Sequence, residues 1–132
     1  MTIFAFRLTP GQDLKKEMDA FAREKNLQAG FVITCVGSLR RAVIRPADQK
    51  EPLIREQKFE IVSLVGTLSP DGSHLHVALS DGTGAMLGGH LLEGNLIYTT
   101  AEIVVGEAEG LLFRREVDAA TGYGELRVEK RK

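Results

Sequence analysis

The chain has 132 residues, with 17 Lys plus Arg against 18 Asp plus Glu and a formal net charge of −1. That length suits one ordinary domain around one core, so residues 1–132 are read as a single domain. With 43% hydrophobic and 27% charged residues the composition excludes a disordered or low-complexity chain. The balanced charge lacks the basic excess that proteins gripping nucleic-acid phosphates usually carry.

Ile3 to Leu8 alternates loosely between apolar and polar residues and predicts a short strand. Thr9-Pro10-Gly11-Gln12-Asp13 then predicts a helix start. Either Thr9 caps it with Pro10 at the first helical position, or the cap sits later, near Gly11. Leu14, Met18, Phe21 and Ala22 form one apolar stripe of a helix running to about Lys25, and Asn26 suits a left-handed stop. The stripe reads as core packing. After it the chain reads as strands and turns. Gly30 to Val36 is a strand closed by Gly37-Ser38, Leu39 to Arg45 is a second, and residues 47–57 are a loop. Phe59 to Leu68 is a long strand ended by the turn Ser69-Pro70-Asp71-Gly72. Leu75 to Leu79, Met86 to Leu91, Leu96 to Val105, Leu111 to Val117 and Glu125 to Val128 complete the set. One helix followed by many short strands predicts an α+β fold: a mostly antiparallel sheet with a helix on one face.

Cys35 is the single cysteine, so no intrachain disulfide forms, which fits a reducing compartment and a cytoplasmic location. It lies in the run Phe31 to Val36 and reads as a buried strand residue. Met1 to Phe6 has no basic region and no long apolar core, so it does not read as a signal peptide. No stretch approaches the ~20 apolar residues that a membrane helix needs.

The three histidines, His74, His76 and His90, share one window in which seven of the fourteen glycines also lie. His74 and His76 are two apart on a predicted strand, and side chains two apart share a face. Two imidazoles so placed can reach one metal ion at ~2.0–2.1 Å. A strand paired beside the first brings His90 close, and Gly88-Gly89 would allow a near approach of backbone. Three neutral imidazoles leave the charge of a divalent ion intact and a coordination position open, and zinc is the first choice among metals that suit imidazole. His-x-His on a strand also occurs as ordinary surface polarity, and a metal held there could be a clip without chemistry. Glu60 and Glu102 lie within apolar strands and are the weak candidates for an acid or base beside the metal. As ordinary residues they face solvent or pair with an arginine. Arg40, Arg41, Arg45 and the tail Lys130-Arg131-Lys132 read as solvated basic groups.

Several ordered motifs then carry a resemblance: Gly37-Ser38-Leu39, Phe59-Glu60-Ile61-Val62-Ser63-Leu64, Asp71-Gly72-Ser73-His74-Leu75-His76-Val77, Gly84, Gly88-Gly89-His90, Thr99-Thr100-Ala101-Glu102-Ile103 and Thr121-Gly122-Tyr123-Gly124-Glu125-Leu126. The chain resembles, over nearly its whole length, the PPC domain (plants and prokaryotes conserved, the domain of unknown function 296) of the stand-alone prokaryotic type. The resemblance implies a sheet of about seven strands with a flanking helix, a homotrimer, and zinc at His74, His76 and His90. It implies a fold similar to that of acetolactate decarboxylase, which holds zinc with three histidines. Plant members follow a DNA-binding AT-hook, whose Arg-Gly-Arg-Pro core is absent here, and they recruit transcription factors through a stretch that Lys58 matches in part. The reading is therefore a trimeric zinc-binding domain of open biochemical role. A metal-dependent lyase or hydrolase of a small molecule is the alternative, and a DNA-associated regulator the second.

Overall fold

The computed structural model describes residues 1–132. The chain runs β1 (Thr2–Leu8), α1 (Leu14–Glu24), β2 (Gly30–Arg45), β3 (Leu53–Arg55), β4 (Phe59–Ser69), β5 (Gly72–Ser80), β6 (Met86–Leu91), β7 (Leu96–Glu107), β8 (Leu111–Val117) and β9 (Gly124–Lys130). Seven strands form one antiparallel sheet in the order β1-β7-β2-β4-β5-β6, with β3 paired to β2; β8 and β9 form a separate hairpin. Ile44 pairs with Leu91 and Arg45 with His90, so the path β2-β4-β5-β6 returns to β2 and closes a ring. Closure removes two sheet edges that would otherwise need cover.

The helix starts later than Thr9. Gly11 has φ 87, a left-handed conformation that a right-handed helix cannot contain, so the Thr9–Gln12 segment is a turn. Asp13 is the cap, its carboxylate accepting from the backbone N–H of Lys16 at 3.1 Å. Its second oxygen accepts from the Gly94 N–H at 2.7 Å, which ties the helix start to the segment before β7. The predicted stripe packs as expected: Leu14, Met18 and Ala22 are buried, and Phe21 stacks on Phe6 with ring centroids 4.1 Å apart. Asn26 has φ 51 just past the helix, the left-handed stop its residue type favours. The core joins these residues to Leu39, Ile44, Leu64, Leu68, Leu75, Leu79 and Leu91.

Two expected strands are one. Gly30 to Arg45 is continuous through Gly37, with register shifts along its pairing with β7. A Cβ on Gly37 would lie 2.2 Å from the Thr100 carbonyl oxygen, so the glycine serves close strand packing and not a turn. The expected loop at 47–57 contains β3, which follows Pro52 directly, as a strand start permits. Cys35 is buried on β2, and burial pushes its thiol up to about 12, so it is an inert core residue. No helix is long and apolar enough to cross a membrane.

Candidate metal centre

On β5, Leu75, Val77 and Leu79 point into the core and His74 and His76 point out, as strand alternation requires. His76 is the direct cross-strand partner of His90 on β6. The approach of β6 is a glycine effect. A Cβ on Gly88 would lie 2.5 Å from the Val77 carbonyl oxygen, and one on Gly89 would lie 2.6 Å from that of Arg45. Only a residue without a side chain lets β6 lie between β5 and β2 at this distance. The buried Asn95 fixes the next turn: its amide donates to the carbonyls of Val43 and Leu92 and its oxygen accepts from the Val43 N–H.

The three imidazoles therefore converge. Ring centroids are 5.0 Å apart for His74 and His76, 5.2 Å for His74 and His90, and 5.7 Å for His76 and His90. One ring nitrogen from each lies within 4.8 Å of the others. The Nε2 atoms of His74 and His76 are 3.2 Å apart. Two nitrogens bound to one tetrahedral zinc at ~2.0–2.1 Å stand roughly 3.3–3.4 Å apart, so this pair fits the ion with little movement. Burial lowers the pKa of His74, helped by the positive charge of Arg115. Burial and the charge of Arg45 lower that of His90 to about 4. Both rings are neutral at pH 7, the form that ligates metal.

A cavity of about 770 Å³ opens over the three rings. Arg45 and the loop after it form one wall, Asp71 to Ser73 a second, and the β8–β9 hairpin a third through Arg115, Tyr123 and Glu125. Arg115 is anchored there. Its backbone N–H donates to Asp71 at 2.9 Å and its guanidinium donates to Thr67 Oγ1 at 2.8 Å.

Glu60 and Glu102 are not part of this cavity. Glu60 pairs with Ser38 and Ser80, at the far end of β4 from the position beside His74. Glu102 is exposed on β7 and accepts from Thr100 Oγ1 at 3.3 Å. Neither reaches the histidines within the chain, because register along β4 and β7 places each strands away from His90. The carboxylates near the rings are Asp48, Asp71 and Glu125. Asp48 and Glu125 reach the rings only through the loop after β2 and the hairpin, whereas Asp71 lies in the β4–β5 turn three residues before His74.

The pattern of the Plants and Prokaryotes Conserved domain matches residues 1–109. The chain belongs to that family. Within it, this PPC domain superposes on a hypothetical protein from Salmonella enterica with a TM-score of 0.97 and 40% identity, covering 99% of this chain and 95% of that one. It superposes on a metal-containing protein from Archaeoglobus fulgidus with a TM-score of 0.76 and 29% identity, covering 96% and 94% of the two chains. A Staphylococcus aureus protein similar to α-acetolactate decarboxylase matches with a TM-score of 0.50 and 21% identity over 80% of this chain and 52% of that one, a likeness of fold alone. The PPC domain is also 52% identical over 130 residues to the bifunctional protein GlmU of Synechococcus sp. strain JA-3-3Ab, covering 98% of this chain and 21% of that protein. It spans about a fifth of the length of the curated relatives it matches.

Proposed function

We propose that this PPC domain is a trimeric zinc-binding protein whose three-histidine site receives a small ligand. The observation that carries the reading is the convergence of His74, His76 and His90 within 4.8 Å on a cavity wall. His74, His76 and His90 would hold the ion, and no fourth protein ligand is required of them. A bound divalent ion would supply a Lewis acid with an open position. The chain's own part is to hold the rings in register on β5 and β6 and to keep His74 and His90 neutral through burial and the nearby arginines. The metal-containing Archaeoglobus relative supports the metal, and imidazole-only ligation supports zinc.

The trimer is supported by an uncovered apolar sheet face. Ile3 on β1, Ile33 and Val36 on β2, and Val62 and Val65 on β4 are all exposed, on the side away from α1. Contiguous apolar surface of this kind usually marks an interface.

The metal-dependent enzyme reading is favoured by the cavity itself, whose size suits a small molecule and whose walls carry both cationic and anionic groups. The DNA-associated reading has less support. Arg41, Arg127 and Arg131 are each paired with a carboxylate, so the surface offers no free basic stripe of theirs to a phosphate backbone. Lys58, the partial match to the plant recruitment stretch, lies over the Tyr98 ring with Nζ 4.5 Å from its centroid.

Titration of chelator-treated protein with zinc tests the reading. One ion per chain, with binding abolished in His90→Ala, is the expected result. Binding unchanged in that variant would assign the metal elsewhere.

A further inference from the structure

The walls of the histidine cavity carry two arginines that form no ion pair. Lys15, whose charge also acts on His90, makes an ion pair with Asp19 at 2.8 Å. Arg45 and Arg115 take part in none of the molecule's ion pairs. This holds although Asp48, Asp71 and Glu125 line the same cavity. Asp71 instead accepts the Arg115 backbone N–H. Arg115 gives one guanidinium nitrogen to Thr67 Oγ1 and keeps its other donors for the cavity. Arg45 makes no side-chain hydrogen bond with the protein, and its backbone pairing with His90 fixes it beside the rings. Guanidinium groups free of ion pairs on the wall of a concave site suit a carboxylate or a phosphate, either of which they bind through paired N–H donors.

We propose that the cavity takes a small organic anion, a carboxylate or a phosphate ester, held by Arg45 and Arg115 beside the three histidines. The inference deepens the ligand-site reading above and rests on it. The two arginines come from different walls, one from the end of β2 and one from the hairpin, and the charges of both act on His74. Two guanidinium groups against three carboxylates leave the bare walls slightly negative, and a divalent ion on neutral imidazoles would reverse that sign. Anion binding is therefore stronger in the metal-loaded protein, and by linkage the anion raises metal affinity by the same factor. Arg115 and its hairpin lie beyond residues 1–109, so ligand selection falls in part to a segment outside the matched family pattern.

Calorimetric titration with malonate, inorganic phosphate and the neutral analogue malonamide tests this, on zinc-loaded and metal-free protein. Wild-type protein should bind malonate or phosphate and not malonamide, and whichever anion is tighter names the ligand class. Arg45→Gln and Arg115→Gln should each weaken anion binding by roughly ten- to a hundredfold. Arg45 is exposed and unbonded, so its variant keeps the fold, which thermal unfolding verifies. Equal anion affinity in wild type and both variants, or equal affinity for malonamide, would overturn the proposal while leaving zinc binding untouched. Loss of zinc binding alone, with arginine-dependent anion binding retained in metal-free protein, would remove the metal and keep the anion site.

Discussion

At the scale of residues, the site rests on imidazoles kept neutral. His90 has its pKa lowered from 6.5 to about 4, by burial first and then by Arg45, and His74 is lowered in the same direction. The folded chain thus binds fewer protons than the unfolded one between those values, and its stability rises with pH there. The contribution is fully present above about 6.5 and is lost as pH falls toward 4. Metal-free protein should accordingly show a lower urea midpoint at pH 5 than at pH 7, and His90→Gln should reduce that difference. An unchanged difference in the variant would place the acid sensitivity elsewhere. The His74–His76 pair was legible in the sequence because alternation along a strand is a local rule. The neighbours that tune these rings, Arg45 and Arg115, were not, since they arrive from β2 and β8 through long-range pairing. For the same reason Glu60 and Glu102, plausible by their apolar surroundings, stand away from the rings.

At the scale of elements, β6 is the piece that completes the site, and its glycines decide whether it can. A methyl group at position 89 would meet the Arg45 carbonyl oxygen at 2.6 Å, and backbone cannot yield there cheaply. Gly89→Ala should cost about 1–3 kcal/mol of stability, as overpacking does, and should weaken zinc binding by separating His90 from His76. Chemical unfolding and zinc titration on the same variant check both effects. A variant as stable as wild type would show that β6 is not held as tightly as the contacts imply. The sequence marked the helix stripe, the left-handed Asn26 and the Ser69 to Gly72 turn correctly because each depends on neighbours within a few residues. Of its two cap positions the later one, near Gly11, comes within two residues of Asp13, which is held by Gly94 as well as by Lys16. Gly37 looked like a strand end because close backbone packing against Thr100 has no local signature.

At the scale of the whole molecule, the sheet has one face packed on α1 and, on the other, an exposed apolar patch in the isolated chain. Val36 is 60% exposed and Val65 54%, next to Ile33 and Val62. Assembly into a trimer would remove this surface from water, with a gain of about 25 cal/mol per Å² of apolar area buried. Val36→Glu combined with Val65→Glu should turn a trimer into a monomer in sedimentation equilibrium. Wild-type protein that sediments as a monomer would dispose of the trimer. The antiparallel architecture and single helix were predicted from element order, while the closing of β6 onto β2 was not, because only two residue pairs carry it.

The claim on which the rest depends is that His74, His76 and His90 hold one metal ion. The most direct test is the metal content, by mass spectrometry, of protein purified without a histidine tag, beside its His76→Ala variant. The account predicts near-stoichiometric zinc in the parent and its loss in the variant. If neither protein holds metal after zinc is supplied and the excess removed, the three rings are surface polarity gathered by strand register, and the metal reading fails.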